Sequence, residues 1–330
     1  MKHRIAMSSL LTIYEAVALS SAVLFMPACS RAQTELRADR QILPEVTRGT
    51  WTVKNGPGGS LYVLTRSVKP LSSLWVSDNS GSSMHMILGG GSEPTDLRFP
   101  KDLAVDRDGN AIVVDAGLIK TFSHDGKLLS SFPSERPESL GVLSDGRILV
   151  SGMPRDHLIY VFDRQGRSLG NIGEAAKADD APGFNAILNI GKIIVDDADN
   201  IYYVFRFFLT PTVRKYTREG KLVAEWHPQS NYLDRAVARA KKTHEESKEK
   251  GTYGLNPVLS AGAFDGETKT FWVASGSQVM QLGASGETIR SLELVRPEGG
   301  PVQTDGLVVD RDFIRVATSL HGTFEFFKPH

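Results

Sequence analysis

The side chains best suited to chemistry in this sequence are cationic and stand just outside short apolar runs. Arg66 follows LYVLT, Arg98 and Lys101 flank FP, Arg155 and His157 bracket the approach to LIYVF, Arg206 follows IYYVF, and His321 follows ATSL. Asp115 holds the matching place after AIVV, and Lys69, Arg136, Asp156 and Ser275 have similar positions. Guanidinium and ammonium groups gathered at one opening focus positive potential into a low-dielectric funnel, so the chemistry they offer is anion recognition. A carboxylate, a phosphate or an acidic glycan would answer it, carried by a protein, a peptide or a small molecule. The chain as a whole excludes nucleic acid, because 38 Lys and Arg balance 38 Asp and Glu and leave no global basic field. No Gly-rich phosphate loop, Gly-x-Ser-x-Gly elbow, His-Glu-x-x-His or EF-hand loop occurs. A single cysteine, Cys29, rules out an internal disulfide and any thiolate metal cluster. No residue is therefore assigned a catalytic role.

The elements that must position these side chains repeat. From residue 49 onward one phrase recurs at a period of 37 to 60 residues: an apolar strand, an Asp-Gly turn, a β-branched strand, a loop, a third strand, a second Gly turn and a fourth strand. The clearest copy is FPKDLAVDRDGNAIVVDAGLIKTFSHDGKLLSSF, Phe99 to Phe132, with Asp108-Gly109 and Asp125-Gly126 as its turns. Further copies span Ser139 to Ile172, Ala186 to Trp226 and Leu259 to Leu294. In the second of these Asp199-Asn200 fills the first turn, since Asp and Asn reach left-handed backbone more readily than most residues. In the third, Asp265-Gly266 does so. A divergent copy covers Trp51 to Leu88, and a truncated one runs from Gly306 to Phe327. Six four-stranded units predict an all-β, six-bladed β-propeller over residues 49–330. Because the last copy lacks its fourth strand, residues 33–48 are expected to supply it, with Gln41 to Val46 pairing against Phe324 to Phe327 and leaving no long open edge.

The pattern Pro100 to Asn110, with Val113-Val114-Asp115, Ile119 to Phe122 and Asp125-Gly126, resembles the NHL-repeat six-bladed propellers. The resemblance covers the mature chain, and it implies the fold more firmly than a function, because such propellers include enzymes and pure binding platforms. Zinc-dependent lyases on such scaffolds converge imidazoles on the channel. Here His157 and His321 share one slot, but in blades three and six, on opposite sides of the ring, too far apart for bonds of about 2 Å to one ion. The gluconolactonase-like propellers, similar in shape, hold calcium with acidic and amide side chains at the inner strand ends. Asp102, Asn189 and Asp305 are similar in kind and place, so a divalent metal on oxygen ligands is the one cofactor that the resemblance admits.

Two segments break the repeat. Residues 231–250, NYLDRAVARAKKTHEESKEK, predict a helix between blades four and five, capped by Asn231, ended by Gly251, and packing Tyr232, Leu233, Ala236, Val237 and Ala240 on the propeller. Residues 1–32 read as an export signal: Lys2 and Arg4, an apolar stretch from Ala16 to Met26, then Pro27 to Ala32. Ser30 and Ala32 fit cleavage before Gln33, whereas Cys29 after Ala28 fits a lipoprotein box, and both readings stand. The protein is expected in the periplasm or cell envelope, meeting the membrane only through such an anchor. Its expected role is non-catalytic binding or scaffolding at the loop face around the channel, and the alternative is a metal-dependent lyase or lactone hydrolase.

Overall fold

The computed structural model describes residues 34–44, 46, 49–66, 72–77, 83–153 and 156–329. The expected signal at 1–32 with Cys29, and also Lys69 and Arg155, lie outside the described residues. Among the described residues the strands form six sheets; in each the chain runs in order from an innermost strand outward, except that the outermost strands of the fifth and sixth sheets come from the N-terminal segment. The innermost strands are Thr50–Asn55, Pro100–Val105, Ser139–Val142, Gly191–Val195, Ala261–Asp265 and Gly306–Val309. Each lies against the next, and the last lies against the first. This is a closed six-bladed propeller around a central channel.

Alternation along each strand explains how the ring holds together, because successive side chains enter opposite interblade gaps. Leu103 packs with Leu64, Val113 and Phe122 toward blade one, while Ala104 packs with Ile112, Leu140 and Ile148 toward blade three. Six hydrophobic clusters fill the gaps in this way. Between blades four and five, Tyr202 and Phe271 stack with ring centroids 4.5 Å apart.

The turns follow their chemistry. Gly109 and Gly126 take φ of 80° and 85°, and Asp199 takes the left-handed position in blade four at 62°. In blade five the structure departs from expectation: Lys269, not Gly266, is left-handed, at φ 53°. Asp265 causes this by gathering the amides of Glu267 and Thr268 on Oδ1, which lengthens the turn.

Three other elements differ from the sequence reading. Blade four begins at Gly191, because Pro182–Leu188 form a short helix, α1, with Pro at its start and Phe184 and Leu188 buried on one side. At the N-terminus, strand β1 (Thr34–Arg37) adds a fifth strand to blade five, parallel to Thr288–Val295. Strand β2 (Arg40–Ile42) then completes blade six, antiparallel, with Gln41 opposite Phe324. The second helix, α2 (Asn231–Lys250), joins blades four and five and ends at left-handed Gly251. Its cap is Ser230 rather than Asn231: Ser230 Oγ accepts from the Leu233 amide at 3.2 Å, because Ser230 has the extended backbone a cap needs. Leu233, Ala236, Ala240, His244 and Ser247 form its buried side.

Candidate functional site

In this winding, the innermost strands start on the face that also carries the loops between second and third strands. That loop face holds α1 and α2, and the opposite face holds the tight turns. The channel changes character between them.

Near the loop face, charges from five blades meet. Asp102, at the start of blade two, is 1% exposed. Its Oδ2 accepts from Ser139 Oγ at 2.6 Å and from the Leu140 amide at 3.1 Å, while its Oδ1 lies 3.3 Å from Lys192 Nζ. Burial works against this carboxylate, but Lys192, Lys54, Ser139 and Leu140 together hold its pKa below the ordinary range. Burial likewise pushes the Lys192 ammonium down, opposed by Asp102 and reinforced by Arg206 and Lys54. Arg206 is pushed down by burial against the attraction of Asp305, Glu138 and Asp102. Its Nε is enclosed and makes no hydrogen bond, and Asp102 Oδ1 makes none either. An enclosed N–H donor with no acceptor is costly unless something supplies one.

The rim adds Arg66, whose guanidinium lies 5.0 Å from the centre of the Trp51 ring and 3.5 Å from that of Phe99. Burial lowers its pKa, and Glu138 works the other way. Glu138 is itself held by Lys101. Five cations (Lys54, Arg66, Lys101, Lys192, Arg206) thus share three carboxylates (Asp102, Glu138, Asp305). Exposed Phe99, Tyr253 and Leu320 stand on the same face.

The remaining residues singled out from sequence are placed as follows. Asp115 is wholly buried and fully engaged, accepting from the amides of Arg98 and Phe99 and from Lys120 Nζ. The Arg98 side chain is exposed and donates to Ser92 O. Half-buried His157 opens the third strand of blade three opposite Glu174. His321 sits in the blade six hairpin, its carbonyl bonded to Gln41. Asn189 is enclosed, with its amide spent on Ala176 and Asn185. Asp305 Oδ2 holds the Ser319 amide. Asp102, Asn189 and Asp305 each have separate partners, and among the described residues no three His, Cys, Asp or Glu side chains gather in one place.

Sequence reasoning missed Lys54 and Lys192. The available signal was positional: both are lysines inside innermost strands.

No protein-family model and no curated protein matches the chain. Solved structures do. A streptogramin B lyase structure aligns with 88% of this chain and 97% of its own length, at 10% identity and a TM-score of 0.53. A protein of unknown function from Bacteroides thetaiotaomicron VPI-5482 aligns with 85% of this chain and 70% of its own, at 10% identity and a TM-score of 0.54. At such identities the likeness is one of fold.

Proposed function

We propose that this chain is an exported, NHL-like binding propeller that holds an anionic ligand, or an acidic patch of a partner, at the loop-face mouth of its channel without transforming it. The observation that carries this reading is half-buried Arg206, close enough to the Lys192–Asp102 pair to act on both charges, with its Nε enclosed and unpartnered. An incoming carboxylate or phosphate would supply the missing acceptor in a medium where charge-assisted bonds are strong. Arg66, stacked between Trp51 and Phe99, adds the combination of aromatic and guanidinium groups that dominates binding hot spots. Arg98, His157 and His321 complete the proposed rim, and Asp115 serves it by fixing the loop that carries Arg98; Arg155, expected beside them, lies outside the described residues.

The test is calorimetric titration with inorganic phosphate and with a hexaglutamate peptide. Arg206→Ala and Arg66→Ala are each expected to weaken binding by about tenfold, the worth of one charge-assisted bond. Unchanged affinity in both variants would sink the proposal.

The second reading, a metal-assisted lyase or lactone hydrolase at the channel, takes its support from the fold shared with a streptogramin B lyase. Native mass spectrometry of protein prepared without chelators addresses it directly. A retained divalent ion would favour the enzyme, and a metal-free mass would favour the binder.

A further inference from the structure

The outward side of α2 carries a charge pattern that the mouth does not use. Arg235, Arg239 and Lys242 follow one another at spacings of four and three residues, so they form one ridge, opposite the buried Leu233, Ala236 and Ala240. All three are exposed, as is Lys241 on the flank. Lys242 reaches Glu246 at 3.9 Å, while Arg235, Arg239 and Lys241 make no ion pair among the described residues. The Arg235 guanidinium instead lies over the Tyr232 ring, 5.6 Å from its centre. Asp234 is the one acid in residues 231–243, and adjacent helical positions do not face each other, so it leaves Arg235 unanswered.

Helix stability alone would not choose this arrangement. Arg235 and Arg239 are like charges four residues apart, as are Glu245 and Glu249, and both pairs are destabilising. Lys241 with Glu245 and Lys242 with Glu246 stand in the weaker order, base before acid. The helix is nevertheless held at both ends. Ser230 Oγ donates to Gln278 Oε1 at 3.0 Å and the Ser277 amide donates to the Tyr232 hydroxyl at 3.4 Å, while His244 and Lys248 both hold Asp179. The segment that follows the helix runs to the mouth, where the Val258 amide donates to the Arg206 carbonyl at 2.7 Å.

We infer that this ridge docks an extended acidic segment of a partner protein, which rests on the loop-face reading only in taking ridge and mouth to serve one partner. The α2 backbone rises by about 6 Å from Arg235 to Arg239 and by about 4.5 Å more to Lys242. Alternate side chains of an extended strand repeat at about 6.6 Å, so carboxylates at every second position can meet successive cations, with the long Arg and Lys side chains absorbing the difference. A small anion would answer one cation and leave its neighbours repelling each other. A single-stranded nucleic acid would need aromatic platforms beside its phosphates, and half-buried Tyr232 is already covered by Arg235.

The test is fluorescence anisotropy of the full mature chain with a labelled dodecapeptide alternating Glu and Ser, against a Gln-Ser peptide of equal length, a dodecathymidylate and phosphatidylglycerol vesicles. The Glu-Ser peptide is expected to bind at least about tenfold more tightly than the Gln-Ser peptide and to weaken as salt rises. Arg235→Glu sets an acid four residues ahead of Arg239, the favourable order, so it stabilises α2 while withdrawing both guanidiniums from the ridge. Peptide affinity is expected to fall at least about tenfold in that variant, with the circular dichroism spectrum and phosphate binding unchanged, and Arg235→Lys is expected to retain it. Unchanged peptide affinity in Arg235→Glu overturns the inference, as does equal or tighter binding of the oligonucleotide or of the vesicles. Should Arg206→Ala and Arg66→Ala leave phosphate affinity unchanged while Arg235→Glu still weakens the peptide, the mouth reading fails and the ridge stands.

Discussion

Lys192 and Asp102 meet across the channel, Nζ to Oδ1 at 3.3 Å, although they belong to blades four and two and the whole of blade three lies between them. Blade three is drawn into the same contact: Ser139 Oγ donates to Asp102 and accepts from the Ile193 amide at 3.0 Å. One carboxylate therefore ties three successive innermost strands together at the loop-face end. It also satisfies the Leu140 amide, a backbone donor enclosed at the channel edge.

Removing that carboxylate strands the Lys192 ammonium. Asp102→Ala is expected to destabilise the propeller by about 3–5 kcal/mol, the usual cost of breaking a buried pair from one side. Asp102→Ala combined with Lys192→Met should recover part of the loss, since it removes the stranded charge together with its partner. Urea unfolding of the single and double variants measures this coupling, and additive losses would show that the two groups do not interact. The pH dependence has a definite sign. Because the folded-state pKa of Asp102 is lowered, its contribution is present above the unfolded value near 4 and is lost as pH falls through the folded one.

The blades were legible because their instructions are local. Gly109, Gly126 and Asp199 adopt the left-handed turns that their residue types anticipate, and alternating apolar residues between them can only be strands. The site was legible only in part, because its partners are distant in sequence. Asp102 and Lys192 are 90 residues apart; Asp102 reads from sequence only as an oxygen ligand for a metal, and Lys192 alone reads as an ordinary polar residue in a strand. Asp115 illustrates the same limit from the other side: its place at a strand end suggested a ligand group, while its actual bonds go to Arg98, Phe99 and Lys120. The cap of α2 was misplaced by one residue because Ser230 and Asn231 are both good caps, and only backbone conformation separates them.

That geometry makes Asp115 a positioning group for the rim. Asp115→Ala should cost about 3–5 kcal/mol, because Lys120 Nζ, 2.7 Å away, would be left with a buried charge and only the Asp96 carbonyl. Arg98→Ala, on an exposed side chain, should change stability by less than about 0.5 kcal/mol. Thermal or urea unfolding of the two variants distinguishes a structural staple from a solvent-facing ligand residue. Similar losses for both would contradict this assignment.

Ring closure depends on a segment of only a few residues. Ile42 and Leu43 are buried at 4% and 3% exposure, and their burial alone contributes about 1.5–3 kcal/mol each. A chain starting at residue 44 is expected to unfold at lower denaturant than one starting at residue 33. It should also associate, because the edges of Gly322–Phe327 and Thr288–Val295 would both be open. Size-exclusion chromatography and urea titration of the two chains read both effects. A monomer of equal stability would mean that the propeller closes without β1 and β2.

The hold on α2 should respond to acid. Asp179, in the connection before α1, accepts from His244 Nε2 at 2.9 Å and from Lys248 Nζ at 2.9 Å, while its Oδ1 accepts from the Ala181 amide at 2.8 Å. Burial opposes the carboxylate, but the Ala181 amide, Lys248 and His244 outweigh it and bring its pKa down to about 2. A carboxyl with a folded pKa below its unfolded value near 4 stabilises fully above that value. The contribution then fades as pH falls toward about 2. Amide hydrogen exchange in α2 should therefore quicken over this interval more than exchange in the blade strands, because the contact anchors the helix and not the ring. Asp179→Asn removes the titrating group, so it should lower α2 protection at neutral pH and abolish the part of the acid response that the native chain shows in excess. An identical pH profile in the two proteins would mean that α2 is held by its apolar side, Leu233, Ala236 and Ala240, with no contribution from the ionic contact.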